Sequence, residues 1–181
     1  IEQPYILYQG ALNEGRGIEY MIPAMKFVPL PLMICGEGNF SVKARQLVKD
    51  LELSHKIIFR GMIEPALLPA YTLNATIGLN LGDGTGLNNY LSLNNKFFDY
   101  IHAELPQVAM NFPEFRKINN EFEVGVLIED LQPATISKAI NTLLENKELY
   151  SRIKMNCNRA KYVLNWQEEE KKLVKFYNAL F

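Results

Sequence analysis

Six short apolar runs alternate with longer amphipathic ones, and that rhythm predicts an α/β fold. The form expected is a doubly wound sheet of about six mostly parallel strands, with helices on both faces and a helical C-terminal tail. Two observations support it. Each apolar run is bounded by Gly, Pro, Asn or a charged residue, as buried strands are. No strand-like run occurs from Pro133 onward, where only helical spacing remains.

Taken in order, the strands are Tyr5–Gln9 (YILYQ), Pro31–Cys35 (PLMIC), Lys56–Arg60 (KIIFR), Thr76–Leu81 (TIGLNL), Pro106–Met110 (PQVAM) and Val124–Ile128 (VGVLI). Helical spacing fills the intervals at Gly17–Phe27, Asn39–Leu53, Glu64–Asn74, Asn94–Ala103 and Pro113–Asn120. In the second of these, Val42, Leu47, Val48 and Leu51 are expected to share the buried face. The tail reads as two or three helices, the last containing LNWQEEEKKLVKFYNAL, whose Glu-then-Lys run marks a solvated face.

At 181 residues the length favours one domain, with residues 1–130 as the α/β core and 131–181 as the helical tail. A net charge of -1 gives no electrostatic case for nucleic acid as the partner. No run of 18 or more apolar residues is present to span a bilayer. Cys35 and Cys157 are too few for a disulfide framework and read as free thiols in a reducing compartment. His55 and His102 make no catalytic pair, no metal-ligand spacing exists, and the G-x-S-x-G nucleophile elbow is missing. Met21, Met25 and Met33 read as core.

In a parallel sheet, ligands bind outside the carboxyl ends of the strands, so the loops after strands carry the chemistry. Three stand out. The stretch Gly10-Ala11-Leu12-Asn13-Glu14-Gly15 opens like a P-loop, but Arg16 and Gly17 stand where Lys and Ser or Thr are required. That loss argues against magnesium-dependent triphosphate hydrolysis. What remains is a strand-to-helix turn able to receive an anion, with the forked donors of Arg16 beside it, or an ordinary Gly-rich turn. GEGN, Gly36–Asn39, offers half of a dinucleotide fingerprint, but Ser41 replaces its third Gly and the next strand ends in FRG without an acid. A plain tight turn is the better reading there.

The third loop begins at Gly82 and reaches the helix near Asn94, with Gly82, Gly84 and Gly86 followed by Asn88, Asn89, Ser92, Asn94 and Asn95. Its amides could face a phosphate while Asp99 on the following helix meets sugar hydroxyls; the alternative is a mobile surface loop leading to a capped helix, with Asp99 a solvated first-turn acid. Lys96 lies on the same helix.

In their order and spacing these segments resemble the C-terminal, nucleotide-sugar-binding domain of GT-B glycosyltransferases, the group 1 set of retaining enzymes with a Rossmann-like fold. The resemblance runs from Tyr5 to the C-terminus, through YILYQGALNEGRGIEYMIPAM, PLMICGEGN, IIFRGMIEPALLPAYTLNATIGLNL, SLNNKFFDYIHAELPQVA and VGVLIEDLQPATISKAINTLLEN to Trp166 in NWQEEEKKLVKFY. It implies that Gly10, Arg16, Ser92, Leu93 and Asn94 hold a diphosphate and that Asp99, in place of the family's second Glu, accepts from the ribose. Gly36, Glu37, Gly61, Met62 and Ile63 would line the base, and Asn88, Asn89 and Tyr90 the sugar.

The same resemblance implies a transferase that moves a glycosyl group from a UDP- or GDP-linked donor with retention, without metal or cofactor. An upstream acceptor-binding domain would supply the other half of the enzyme, and this portion alone would be inactive. The chain starts without Met, in keeping with a fragment. The setting implied is polysaccharide or lipopolysaccharide assembly by a cytoplasmic enzyme peripheral to the inner membrane face, with membrane contact outside this portion. Two departures motivate the reading as a non-catalytic module: Ala11 replaces an Arg of many relatives, and Leu91 replaces the first Glu of the paired-Glu motif. A non-catalytic nucleotide-binding module and a GT-B-fold sugar-nucleotide epimerase are the competing readings. No catalytic residue can be named from the sequence.

Overall fold

The computed structural model describes residues 3–180. Six strands form one sheet in the order β3-β2-β1-β4-β5-β6: β1 Ile6–Gln9, β2 Leu32–Cys35, β3 Ile57–Gly61, β4 Ile77–Asn80, β5 Gln107–Met110 and β6 Gly125–Ile128. Every pairing is parallel, with Ile6 opposite both Leu32 of β2 and Ile77 of β4. Parallel strands must be joined by crossovers, and the helices supply them. The strands β1, β2, β4 and β5 are buried along their whole length, which is why they read as continuous apolar runs.

The helices are α1 Ile18–Ala24, α2 Ser41–Asp50, α3 Leu68–Leu73, α4 Leu87–Leu91, α5 Asn95–His102, α6 Pro113–Phe122, α7 Pro133–Glu145, α8 Lys147–Ala160 and α9 Trp166–Asn178, with a 3-10 turn at Met25–Phe27 after α1. Helix α1 packs against α2 and α7. Across the sheet, Tyr5, Leu7, Met33, Cys35, Tyr100 and Leu105 form a second, smaller apolar cluster, joined by Leu68 and Tyr71 of α3. The three methionines named above are buried.

Three differences from the sequence reading have physical causes. Val42 is 80% exposed, so the buried face of α2 is Ser41, Ala44 and Val48, with Leu47 and Leu51 only packed beside it. The segment after Gly82 is broken by α4, a five-residue helix that Gly and Asn content had disguised as loop. The line drawn between residues 130 and 131 marks no break in packing. Ile136, Ile140 and Leu143 of α7, and Ile153, Cys157 and Ala160 of α8, belong to the main core, whereas α9 buries no residue.

Helix α5 is seated by an unusually close approach to the sheet. Gly78 of β4 lies under the Tyr100 ring, where a Cβ would come within 2.6 Å of a ring carbon. The Tyr100 hydroxyl stands 3.3 Å from the Leu79 carbonyl and accepts from the Gln9 backbone N–H at 3.4 Å. Asn94 caps the helix by accepting from the Phe97 N–H, and its own amide donates to Asn80 at the end of β4. Helix α5 thereby starts beside the carboxyl ends of β1 and β4, where the strand order reverses.

Candidate nucleotide-sugar site

At that reversal lies a cavity of about 590 Å³. One wall is Gln9, Gly10, Ala11 and Arg16 from the β1–α1 segment; the other is Asn88, Asn89 and residues 92–96, closed below by Asp99. A second hollow of about 520 Å³ continues from it between α3 and α5, sharing Gln9, Leu68, Asn95 and Asp99. Segments 80 residues apart in the chain therefore meet, and a guanidinium and a carboxylate face the same space.

The basic side of the crevice holds two cations. Lys96 Nζ lies 4.2 Å from the centre of the Tyr8 ring, and a methyl group placed on Gly10 would sit 3.7 Å from it. Arg16 lines the same cavity. Among the described residues neither has an ion-pair partner or a side-chain hydrogen bond. Burial, with the Arg16 charge adding to it, pulls the Lys96 ammonium down to about 7. Lys96 did not figure among the site residues expected from the sequence. Its position in the first turn after the Asn-rich loop was the available signal, and at that end of a helix an unpaired cation is unfavourable unless an anion joins it.

The acid side is built differently. Burial raises the Asp99 carboxyl above the usual range, opposed by a hydrogen bond from Gln9 and by the charge of His102. Gln9, 2% exposed, was also missed, because the last residue of an apolar strand carries no periodic signal. The two histidines face backbone carbonyls, His55 that of Glu52 and His102 that of Leu164.

Of the residues expected to hold diphosphate, Gly10, Arg16, Ser92, Leu93 and Asn94 all line the cavity, as do Asp99, Asn88 and Asn89. Tyr90 does not; its ring turns to Phe112, 5.2 Å away. Gly36, Glu37, Gly61, Met62 and Ile63 sit on the neighbouring rim at the ends of β2 and β3 and line neither hollow. Glu37 is engaged by Arg45, Met62 is 78% exposed, and Ile63 packs into the smaller apolar cluster. Gly36 has a structural duty. Its N–H donates to the Gly61 carbonyl, and a Cβ there would overlap the Gly10 carbonyl oxygen. Ala11 lines the cavity, whereas Leu91 is half exposed outside it.

Among the described residues no cluster of three or more His, Cys, Asp or Glu side chains is placed to hold a metal ion, and no helix is long and apolar enough to cross a membrane.

A doubly wound sheet with a crevice at its switch point defines a Rossmann-like α/β domain. Residues 3–146 match the family described as glycosyl transferases group 1, and the chain belongs to that family. It has the fold of a C-terminal GT-B domain. A curated relative, the alpha-D-kanosaminyltransferase of Streptomyces kanamyceticus, is 21% identical over 173 residues, covering 91% of this chain and 43% of that protein. The chain thus spans less than half of that relative's length. Among solved structures, Anabaena HepE in complex with UDP superposes with a TM-score of 0.85 at 15% identity, over 97% of this chain and 49% of that one. The C-terminal domain of the group 1 protein LpcC from Francisella tularensis superposes with a TM-score of 0.72 at 18% identity, over 91% and 88%.

Proposed function

We propose that this chain is the donor-binding half of a glycosyltransferase that takes a sugar from a nucleoside diphosphate sugar. One observation carries the reading: two cations with no ion-pair partner among the described residues converge on the crevice where the strand order reverses. Arg16 supplies a fixed fork, Lys96 a point charge, and the N-terminus of α5 unsatisfied N–H groups. A diphosphate is the anion such a set suits, and Asp99 offers an acceptor for the ribose.

On this reading the charge that grows on the leaving diphosphate is met by Arg16, Lys96 and the helix end, the part a divalent ion plays in other transferases. Catalysis without metal and retention of configuration belong to the same proposal. So do an acceptor-binding half outside this chain, a cytoplasmic setting, and a role in glycan or lipopolysaccharide assembly. The exposed Leu91 and the small Ala11 favour one competing reading, a module that binds nucleotide without chemistry.

Calorimetric titration of the chain with UDP and GDP tests the binding step. Saturable binding of at least one is expected, tighter than that of its nucleoside. Binding of neither contradicts the proposal, and binding without transfer by the longer protein selects the non-catalytic reading.

A further inference from the structure

Gln9 ends β1 with its side chain between two helices. Its Nε2 donates to Asp99 Oδ2 of α5 at 2.8 Å, and its Oε1 accepts from Thr72 Oγ1 of α3, also at 2.8 Å. Thr72 is 4% exposed, and its hydroxyl also lies 3.1 Å from the Leu68 carbonyl. The direction of this chain is set by chemistry. A reversed amide would face its oxygen to the carboxylate, two acceptors with no proton between them. Among the described residues no side chain donates to Asp99 Oδ1.

We infer that Gln9 is a positioning residue for the ribose: by occupying Oδ2 it fixes the Asp99 carboxylate at the end of β1 and leaves Oδ1 to accept from the sugar hydroxyls. The inference rests on the donor-binding reading above. Asp is one methylene shorter than Glu, so its carboxylate stays close to the helix and needs a partner that reaches out from the sheet. A buried amide with both ends bonded is rigid enough to serve. It also stabilises the ionised form of a carboxyl that burial would otherwise protonate more readily.

The test uses Gln9→Leu, which keeps the bulk of the side chain and removes both polar ends. Its affinity for UDP is expected to fall about tenfold, and for 2′,3′-dideoxy-UDP to change less than about twofold, because one hydrogen bond to a charged group is lost only where the hydroxyls are present. Thr72→Val, nearly the same shape, should show the same selectivity at smaller size. Equal losses for both nucleotides reduce Gln9 to a packing residue and overturn the inference. Carbon-13 titration of the Asp99 carboxyl gives a readout without ligand: its midpoint should rise in Gln9→Leu, and an unchanged midpoint also overturns the inference. Asp99→Ala separates the two levels. If it leaves both nucleotides unaffected, the ribose assignment fails and takes the inference with it. If it weakens UDP selectively while Gln9→Leu does not, the inference alone fails.

Discussion

The two ends of the crevice are built on opposite terms. At the acid end, Asp99 Oδ2 is held by Gln9, which is held in turn by Thr72, so one carboxylate oxygen is fixed before any ligand arrives and Oδ1 is left to accept. At the basic end, Arg16 and Lys96 line the same cavity with no ion-pair partner among the described residues, and the Arg16 charge makes that of Lys96 harder to keep. An acid held through one oxygen serves as a fixed acceptor through the other. An unsatisfied pair of cations is a cost carried by the free protein and recovered when an anion binds. The contrast explains why the basic end is the stronger sign of a ligand.

The contrast can be broken by moving the loop that shapes the basic end. Gly36→Ala drives a Cβ into the Gly10 carbonyl at a backbone φ of +148°, a conformation that only glycine adopts readily. The strain and overlap together should cost about 3 kcal/mol, lowering the melting temperature by roughly 6–12 °C, and UDP binding should fall with it.

It can be sharpened by pH. Lys96 sits at about 7 in the free chain, against 10.5 ordinarily. Between those values the unfolded chain binds a proton that the folded chain does not, so this group's contribution to stability rises with pH across that window. A bound diphosphate restores the charge. Near pH 8 the binding of UDP-glucose, whose diphosphate diester does not titrate there, should therefore take up a proton, and affinity should fall as pH rises from about 6 to about 9. Lys96→Met should abolish the uptake and flatten the stability slope. Calorimetry in two buffers of different ionisation enthalpy measures the first, and melting curves across pH the second.

These two ends also show what the sequence could and could not convey. Strands such as PLMIC and PQVAM declare themselves because both faces are buried, and their alternation with helices is enough for the fold. Arg16 was readable because it interrupts a known loop pattern. Lys96 was not, since a lysine in a helix's first turn ordinarily points to water, and only the distant Tyr8 ring and Gly10 make it otherwise. Gln9 acts through residues 63 and 90 positions away, a relation that no local period records. Val42 misled for a plainer reason: an apolar residue in a helix is evidence of burial only when its angle agrees with the others, and it is exposed. Tyr90 misled because a polar aromatic in a Gly-rich loop resembles a ligand contact, while Phe112 is its actual neighbour.

The measurement that bears most directly on the cation pair as a diphosphate receptor is a comparison of UDP with uridine on the Arg16→Ala/Lys96→Ala protein. Removing two charge-assisted contacts should weaken UDP by at least about 100-fold while leaving uridine within about twofold of the unaltered chain. Equal losses for the two, or no loss for UDP, would contradict the account.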